Sequence, residues 1–306
     1  MNNIAVHICT KDRPTEVALL LQSLRTQTCQ NFNCVILDDG SGTPIINHYF
    51  VNYMIERMKQ EGHKIVVIRN DAPSGVSSAR QQLVDYTMKY GDEKYICRVD
   101  DDVLLEPNYL DELIEVIYHG YDLASGITVP FVGMPIVRDI NSIGDVIGEC
   151  QLNDKGELIL NMDDCVTLFT EKKILPTHHF RSCALYKKEL HEAGVDYINK
   201  LSRNGFREEQ ILSFKAILKG FKLGVNTMAI NYHLQTPSGG EKDTMNMCGF
   251  NQDRFEETTK RMFEDYGDFI EKYNKKLGIK TKRKTDLELM HPLNLVSKKL
   301  MVSLIE

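Results

Sequence analysis

Three consecutive carboxylates, Asp100, Asp101 and Asp102, follow the apolar run "KYICRV" at 94–99. Alternate residues of an extended segment face the same side, so Asp100 and Asp102 are predicted to converge while Asp101 points away as a spacer. Converging carboxylate oxygens suit a hard divalent cation such as Mg²⁺ or Mn²⁺. Acids ahead of a helix can instead cap it, but one acid would suffice for that and Glu106 lies closer to the next helix. The spacing therefore favours a cation site.

A second set of chemical groups lies in the last third of the chain. Glu208 and Glu209 begin a stretch with a helical pattern that ends at Gly220, a residue suited to a left-handed helix cap. Paired acids at a helix start commonly just complement the helix dipole. His233 stands apart from the other histidines because it ends a strand-like run and precedes the Gly-rich loop "TPSGGEKD" at 236–243. These residues can be structural or can contribute to a site.

The elements that must position these groups alternate in type through the first half of the chain. Short β-branched runs, typical of strands, are separated by stretches with helical periodicity. Such alternation predicts parallel βαβ units with right-handed crossovers. The predicted strands are 4–10, 32–37, 64–69 and 94–99, and the predicted helices begin at Pro14, cover 45–61 and 76–90, and begin again at Pro107.

Polar residues follow every one of these predicted strands. Parallel strands end at one edge of their sheet, and ligands of such sheets collect at that edge. One shared site is therefore the simplest interpretation of the four polar segments, which are 10–13, 38–41, 69–71 and the triplet 100–102.

The second half has a less regular pattern. The turn-forming "NDKG" at 153–156 predicts a hairpin, and residues 251–274 and 293–305 are predicted to be helical. The run "KYNKKLGIKTKRK" at 272–284 holds seven basic residues and no acid. Such a run is often a solvated surface, but it also suits contact with anionic lipid or nucleic acid.

The composition is that of a globular protein with a sizeable core, since 42% of the residues are apolar and 26% are charged. The net charge of −6 argues against a chain that binds polyanions over its whole surface. The eight cysteines include no C-x-x-C pair, which favours buried, reduced thiols in a cytoplasmic protein. We expect no signal peptide and no membrane-spanning segment, because no leader pattern and no long apolar run occur.

Five stretches carry a resemblance to a known family, and they occur in that family's order. They are "ICTKDRP", "QTCQNFNCVILDDGS", "SGVSSARQQ", "RVDDDVLLEPNYL" and "FREEQILSFKAILKGFKL". Together they span residues 4 to 235, and the chain resembles a family 2 glycosyltransferase, an inverting nucleotide-sugar transferase.

This resemblance implies an α/β protein with the GT-A fold, in which helices flank a mixed, mostly parallel sheet. The catalytic domain is expected at 1–240, with a nucleotide-sugar-binding half at 1–120 and an acceptor-side half at 121–240. A helical, basic C-terminal extension is expected at 241–306.

The resemblance also implies donor contacts at the strand ends and on the third helix. Asp100 and Asp102 match the family's D-x-D pair, in which the first acid faces the ribose or the cation and the second coordinates the cation. Arg80 matches the family's Ala-Arg position, where a guanidinium can serve the phosphates or support the site, although a helix-surface arginine is the alternative. The residues expected to bind the donor nucleotide are Thr10, Asp12, Arg13, Asp39, Arg80 and Asp100.

The catalytic base implied by the resemblance is Glu209, with Glu208 as the alternative because the family usually has Asp at this place. His233 matches a histidine that completes the cation site, so the expected ligands of Mn²⁺ or Mg²⁺ are Asp102, Asp100 and His233. The pair His178–His179 could line the acceptor side, although a solvated loop is the simpler interpretation.

Three functions are consistent with these residues. The first is a cytoplasmic or membrane-peripheral transferase that moves sugar from a nucleotide-diphosphate donor, by family resemblance a UDP-sugar, to a saccharide or lipid-linked glycan. The second is the same chemistry on a nucleic-acid acceptor such as hydroxymethylated DNA bases, as in some bacteriophage enzymes, with the basic run 272–284 contacting DNA. The third is a nucleotide-sugar-binding domain without turnover, against which Asp100, Asp102 and Glu209 argue.

Overall fold

The computed structural model describes residues 3–152, 158–197, 203–205 and 207–241, together with the single position 275. Its first half alternates strands and helices, as the periodicity predicts. These elements are β1 (Ile4–Thr10), α1 (Pro14–Arg25), β2 (Phe32–Asp39), α2 (Tyr49–Gln60), β3 (Ile65–Asn70), α3 (Val76–Tyr90), β4 (Tyr95–Asp100), β5 (Val103–Leu105) and α4 (Tyr109–Tyr118).

The second half is richer in short strands. These elements are β6 (Leu123–Pro130), β7 (Val137–Arg138), β8 (Cys150–Leu152), β9 (Leu158–Leu160), β10 (Leu168–Phe169), β11 (Ile174–Pro176), β12 (Ala184–Lys187), α5 (Glu189–Glu192), α6 (Glu208–Leu218) and β13 (Leu223–His233). Strands β8 and β9 pair antiparallel, which confirms the hairpin predicted around 153–156.

One mixed sheet organises the described part of the chain. Its order is β11-β13-β6-β12-β4-β1-β2-β3, and β5 pairs with β13. Strands β1 to β4 are mutually parallel, as are β6 and β13, whereas β12 and β11 run antiparallel to their neighbours. Helices cover the sheet, so the predicted mixed and mostly parallel α/β fold is confirmed. The predicted C-terminal helical extension lies outside the described residues.

Two helix starts differ from the predictions. Pro44 precedes a short 3₁₀ turn at 45–47, where Asp38 accepts the backbone N–H of Ile45 at 2.9 Å, so α2 begins later than predicted. Pro107 does not begin α4, because the carbonyl of Glu106 accepts the N–H of Tyr109 at 2.9 Å and closes a turn first.

The core lies on both faces of the sheet. One apolar cluster joins β1, β2 and β4 to α1, α2 and α4, and a second joins β12 to α6. The seven cysteines in the described ranges are all free, and five of them are buried, as expected for reduced thiols; Cys248 lies outside those ranges. None of the described helices combines the length and apolar character that crossing a membrane requires.

Candidate active site at the carboxyl edge of the sheet

A cavity of about 380 Å³ opens at the carboxyl edge of the sheet. This volume falls within the range of about 300–1,000 Å³ that is typical of small-molecule sites. The ends of β1, β2 and β4, helix α3, the start of α6 and the end of β13 all contribute side chains to its wall. Three of the four predicted polar segments, those after β1, β2 and β4, contribute to this cavity. The segment 69–71 after β3 does not line it and instead contacts the end of β2.

The aspartate triplet lines this cavity, but not by strand alternation. β4 ends at Asp100, and residues 101 and 102 form a turn before β5. Asp101 and Asp102 both bind Arg13, with Oδ1 of Asp101 2.8 Å and Oδ2 of Asp102 2.9 Å from its Nη1. The prediction that Asp101 points away as a spacer is wrong, because the extended geometry that it requires ends at Asp100.

Burial raises the pKa of Asp101 to about 6, although the nearby Arg13 guanidinium lowers it. Asp102 presents its other oxygen, Oδ1, to Nε2 of His233 at 3.3 Å. Burial of His233 opposes its protonation, but the hydrogen bond and charge of Asp102 raise its pKa overall.

Asp100 faces a different set of partners from Asp102. Oδ1 of Asp100 binds Nη2 of Arg80 and lies 3.2 Å from Nη2 of Arg98, and Oδ2 accepts the hydroxyl of Ser182 at 2.5 Å. Although burial alone would raise it, these two guanidinium groups hold the pKa of Asp100 well below its usual range. Asp100 is thus a neutralised member of a buried network.

The two acids at the start of α6 differ in their surroundings. Glu208 is buried, and its Oε1 lies 2.7 Å from Nε of Arg80 and 3.0 Å from Nη2 of Arg98. Burial raises the pKa of Glu208 in spite of both arginines. The side chain of Glu209 is 21% exposed, and its Oε1 lies 3.3 Å from Nη2 of Arg98. Glu209 is therefore the more accessible acid of the pair.

The predicted cation ligands do not converge as a set of three. In the part of the chain that the structure describes, no group of three or more His, Cys, Asp or Glu side chains is arranged to hold a metal ion. Asp100 departs from the predicted set because its carboxylate is held by Arg80 and Arg98. Asp102 and His233 remain side by side, with a carboxylate oxygen and an imidazole nitrogen that together suit Mn²⁺.

The other predicted donor residues occupy the strand ends. Thr10, Arg13, Asp39 and Arg80 line the cavity. Arg80 is buried rather than a helix-surface residue. Asp12 is turned away from the cavity by its left-handed backbone (φ 52°), and its Oδ1 accepts the N–H of Gly42 at 2.8 Å.

The carboxylate of Asp39 accepts hydrogen bonds from the loop that precedes α3. Its oxygens accept the backbone N–H groups of Ser74 at 2.9 Å and Gly75 at 3.0 Å, and the side-chain amide of Asn70 at 2.7 Å. Asp39 thereby fixes the loop from which α3 starts, and α3 carries Arg80 into the cavity.

The sequence pattern of the family described as "Glycosyl transferase family 2" matches residues 5–194, which is more than half of the chain. This chain belongs to glycosyltransferase family 2. The family predicted from the five motifs is thereby confirmed. No curated protein matches the sequence.

Solved structures resemble this glycosyltransferase in fold. S. aureus TarS 1-349 in complex with UDP-GlcNAc has a TM-score of 0.54 and 15% identity, covering 85% of this chain and 65% of that one. GalNAc-T7 with UDP, GalNAc and Mn²⁺ has a TM-score of 0.61 and 15% identity, covering 97% of this chain and 58% of that one. The likeness establishes the predicted GT-A fold.

This glycosyltransferase spans 60% of S. aureus TarS 1-349 and 37% of a longer TarS chain.

Several cavity residues of this glycosyltransferase were not predicted from the sequence. They include three arginines, namely Arg98 on β4, Arg181 before β12 and Arg207 before α6. Arg98 and Arg207 stand inside two of the five quoted stretches, but the resemblance assigns them no role, and Arg181 stands in none of the five. Two of the three adjoin strained backbone. Arg207 itself is left-handed (φ 69°) directly before α6, and Ser182, which follows Arg181, is also left-handed (φ 62°). Non-glycine residues held in this region cluster at functional sites.

The pair His178–His179 is not a solvated loop. Both side chains are fully buried. Nδ1 of His178 accepts the N–H of Cys150 at 2.8 Å, and Nε2 of His179 lies 3.2 Å from the carbonyl of Asn161. Their position in the core beside β8 gives them a packing role.

The segment 236–241, which follows β13, closes one side of the cavity. The N–H of Gly240 donates to the carbonyl of Lys11 at 2.8 Å, and Nζ of Lys11 lies 2.9 Å from Oε1 of Glu241. Nε of Arg13 donates to the carbonyl of Ser238 at 3.3 Å. We call this segment the strap. It lies against Lys11 and Arg13, in the segment that follows β1.

Proposed function

We propose that this glycosyltransferase moves a sugar from a nucleotide-diphosphate donor, a UDP-sugar, to a hydroxyl group of a saccharide or lipid-linked glycan, with inversion at the anomeric carbon. The observation that carries the proposal is that one cavity holds both an accessible carboxylate, Glu209, and the adjacent pair Asp102 and His233. The UDP and UDP-GlcNAc bound to structural neighbours support the choice of donor.

The nucleotide-sugar donor is proposed to bind at the end of β4. A divalent cation, Mn²⁺ or Mg²⁺, held by Asp102 and His233 would neutralise charge on the departing diphosphate. Arg80 and Asp100 stand beside this position, where the sequence predicts donor contacts. The Mn²⁺ in the GalNAc-T7 structure supports the same choice of cofactor.

The acceptor side of the proposal depends on Glu209. Its carboxylate accepts the proton of the acceptor hydroxyl while that oxygen attacks the anomeric carbon. The new glycosidic bond forms as the bond to the nucleotide diphosphate breaks on the opposite face, so the configuration inverts without a protein nucleophile. Glu208 is the poorer candidate because it is buried between Arg80 and Arg98.

A transfer assay with and without Mn²⁺ tests this proposal. Removal of a general base costs about 10²–10⁴-fold in rate, so Glu209→Gln is expected to lower kcat by at least about 100-fold. Glu56→Gln is the matched control, because Glu56 is exposed on α2 and, within the described residues, forms an ion pair with Lys59 alone. Transfer by Glu209→Gln at a rate near that of the unmodified protein would contradict the proposed base.

A thermal-shift panel of nucleotide sugars identifies the donor. A ligand that binds the native state stabilises it by mass action and so raises its melting temperature. When the free ligand concentration is 100 times Kd, the free energy of unfolding increases by about 2.7 kcal/mol. We expect the largest shift with a UDP-sugar in the presence of Mn²⁺. A larger shift with a different nucleotide would overturn the choice of UDP.

A further inference from the structure

Arg98 lines the cavity, but the proposed mechanism gives it no role. It lies on β4 two residues before Asp100, so both side chains project from the same face of the strand. The side chain of Arg98 is only 2% exposed, and its guanidinium lies 5.3 Å from the ring centroid of Phe180. A cation at this depth needs carboxylate partners and is held over an aromatic face, so its orientation is restricted.

A single nitrogen of Arg98 joins three carboxylates. Nη2 lies 3.2 Å from Oδ1 of Asp100, 3.0 Å from Oε1 of Glu208 and 3.3 Å from Oε1 of Glu209. Asp100 ends β4 and the two glutamates begin α6. Arg98 therefore ties the predicted donor-binding strand directly to the helix that carries the proposed base.

The neighbouring Arg80 provides an internal comparison. Arg80 also binds Asp100 and Glu208, through Nη2 and Nε. It makes no ion pair with Glu209 within the described residues. Asp100 and Glu208 thus have two arginine partners each, whereas Arg98 is the single ion-pair partner of Glu209 in that part of the chain. Arg98 thus supplies the ion pair that holds the Glu209 side chain, and the adjacent Arg207 adds an electrostatic attraction to the same carboxylate.

We propose that Arg98 is the positioning residue of the catalytic base. It holds Oε1 of Glu209, which leaves Oε2, an oxygen without a described hydrogen-bond partner, to take the proton of the acceptor hydroxyl. Because the same guanidinium also pairs with Asp100, it fixes the position of Glu209 relative to the end of β4, where the donor is proposed to bind. This inference rests on the proposed function, because it assigns a role toward a base that the proposal itself names.

The test compares Arg98→Lys and Arg98→Met with Arg80→Lys and Arg80→Met. Each substitution disturbs the same two acids, Asp100 and Glu208, so a merely structural role predicts similar losses of kcat at both positions. A positioning role predicts a fall of about 10-fold or more in kcat for Arg98→Met with little change in the donor KM. Arg80→Met is expected to act mainly on the donor KM. Arg98→Lys, which keeps the charge, is expected to recover part of kcat and guards against a misfolded Arg98→Met.

A double-mutant cycle with Glu209→Gln completes the test. Residues that act as a unit are non-additive, so Arg98→Met is expected to lower kcat no further once Glu209→Gln is present. Additive losses, or full kcat in both Arg98 variants, would overturn the positioning role. If Glu209→Gln alone keeps its activity, the proposed base fails instead, so the two failures are distinguishable.

Discussion

Asp100 and Asp102 lie two residues apart in the sequence, but we expect their substitution by Asn to change different properties. One substitution should lower the stability of the fold, and the other should lower the affinity for Mn²⁺. Asp102→Asn removes a proposed metal ligand beside His233 and should weaken Mn²⁺ binding by about 10-fold or more. Losing a residue that only hydrogen-bonds to a metal ligand already weakens metal binding by about this factor. Asp100→Asn leaves Mn²⁺ affinity nearly intact but removes a charge from between Arg80 and Arg98. Breaking such a buried pair costs about 3 kcal/mol of unfolding free energy.

Titration of free Mn²⁺ by its electron paramagnetic resonance signal, together with urea unfolding, separates these two effects. Both variants keep the size of the side chain, so each is the control for the other. An equal loss of Mn²⁺ affinity in Asp100→Asn would restore Asp100 to the cation site.

A histidine in the core gives the protein a predicted acid sensitivity. Nε2 of His7 lies 2.7 Å from the hydroxyl of Thr87, and burial lowers the pKa of His7 to about 3. The unfolded chain binds a proton near pH 6.5, but the folded chain does not until about pH 3. The folded state therefore binds fewer protons between these values, and stability falls as the pH falls through this window.

We expect this histidine to contribute a slope of up to about 1.4 kcal/mol per pH unit in that window. His7→Gln should reduce the slope of unfolding free energy against pH, measured by urea unfolding from pH 7 to 4. His119→Gln is the control, because His119 is exposed at the end of α4 and its loss leaves the core untouched. An unchanged slope in His7→Gln would contradict the assignment.

At the scale of elements, the strands and helices of the first half followed from local pattern. The runs at 4–10 and 76–90 were predicted with the observed bounds, because each is amphipathic or β-branched over its whole length. The turn at 101–102 was not predictable in this way. β5 pairs with β13, about 130 residues later in the chain, so the end of β4 is set by a distant partner.

The same distinction explains the site residues. The acids and Arg80 match positions to which the family resemblance assigns a role. Arg98 and Arg207 stand in the same stretches without an assigned role, and only the tertiary structure shows that they enter the cavity. Asp39 was found by motif, but its bonds to Ser74 and Gly75 depend on the packing of β2 against the start of α3. The sequence thus indicates which reactive side chains the site contains, and the fold determines which acidic side chain pairs with which basic one.

The strap and the segment after β1 are coupled through Arg13. Its guanidinium binds Asp101, Asp102 and the carbonyl of Ser238, so it already neutralises an acid proposed to hold the cation. The left-handed Gly240 (φ 71°) permits this approach, since an added Cβ would lie 2.9 Å from Nη2 of Arg13. A cation bound at Asp102, as proposed, would therefore compete with Arg13 for that carboxylate.

Arg13→Met is accordingly expected to raise the donor-free affinity for Mn²⁺ by up to about 10-fold, the equivalent of 1.4 kcal/mol. Lys11→Met is the matched control, because Lys11 holds the strap through Glu241 without an ion pair to the triplet. Calorimetric titration of Mn²⁺ into both variants provides the measurement. Weaker Mn²⁺ binding by Arg13→Met would show that Arg13 supports the cation site and does not compete with it.

At the scale of the whole molecule, net charge bears on the acceptor. The chain carries −6 overall, and seven acids line the cavity: Asp39, Asp100, Asp101, Asp102, Glu208, Glu209 and Glu241. Six of the cavity's side chains are basic, so the cavity itself is nearly balanced: Lys11, Arg13, Arg80, Arg98, Arg181 and Arg207. The basic run at 272–284 is the segment that the sequence analysis associates with a nucleic-acid acceptor, and it lies outside the described residues except for position 275.

Neutralising that run distinguishes the two acceptor classes. The seven basic residues at 272–284 are changed to Gln, and both proteins are tested for retention on duplex DNA and for transfer to saccharide, lipid-linked glycan and hydroxymethylated DNA acceptors. A DNA-directed enzyme would lose retention, and the slope of log affinity against log salt would fall by about 0.9 for each phosphate contact removed. We expect the proposed glycan-directed enzyme to keep its transfer rate in the neutralised variant. Salt-sensitive DNA transfer that disappears with the seven charges would instead establish the nucleic-acid acceptor.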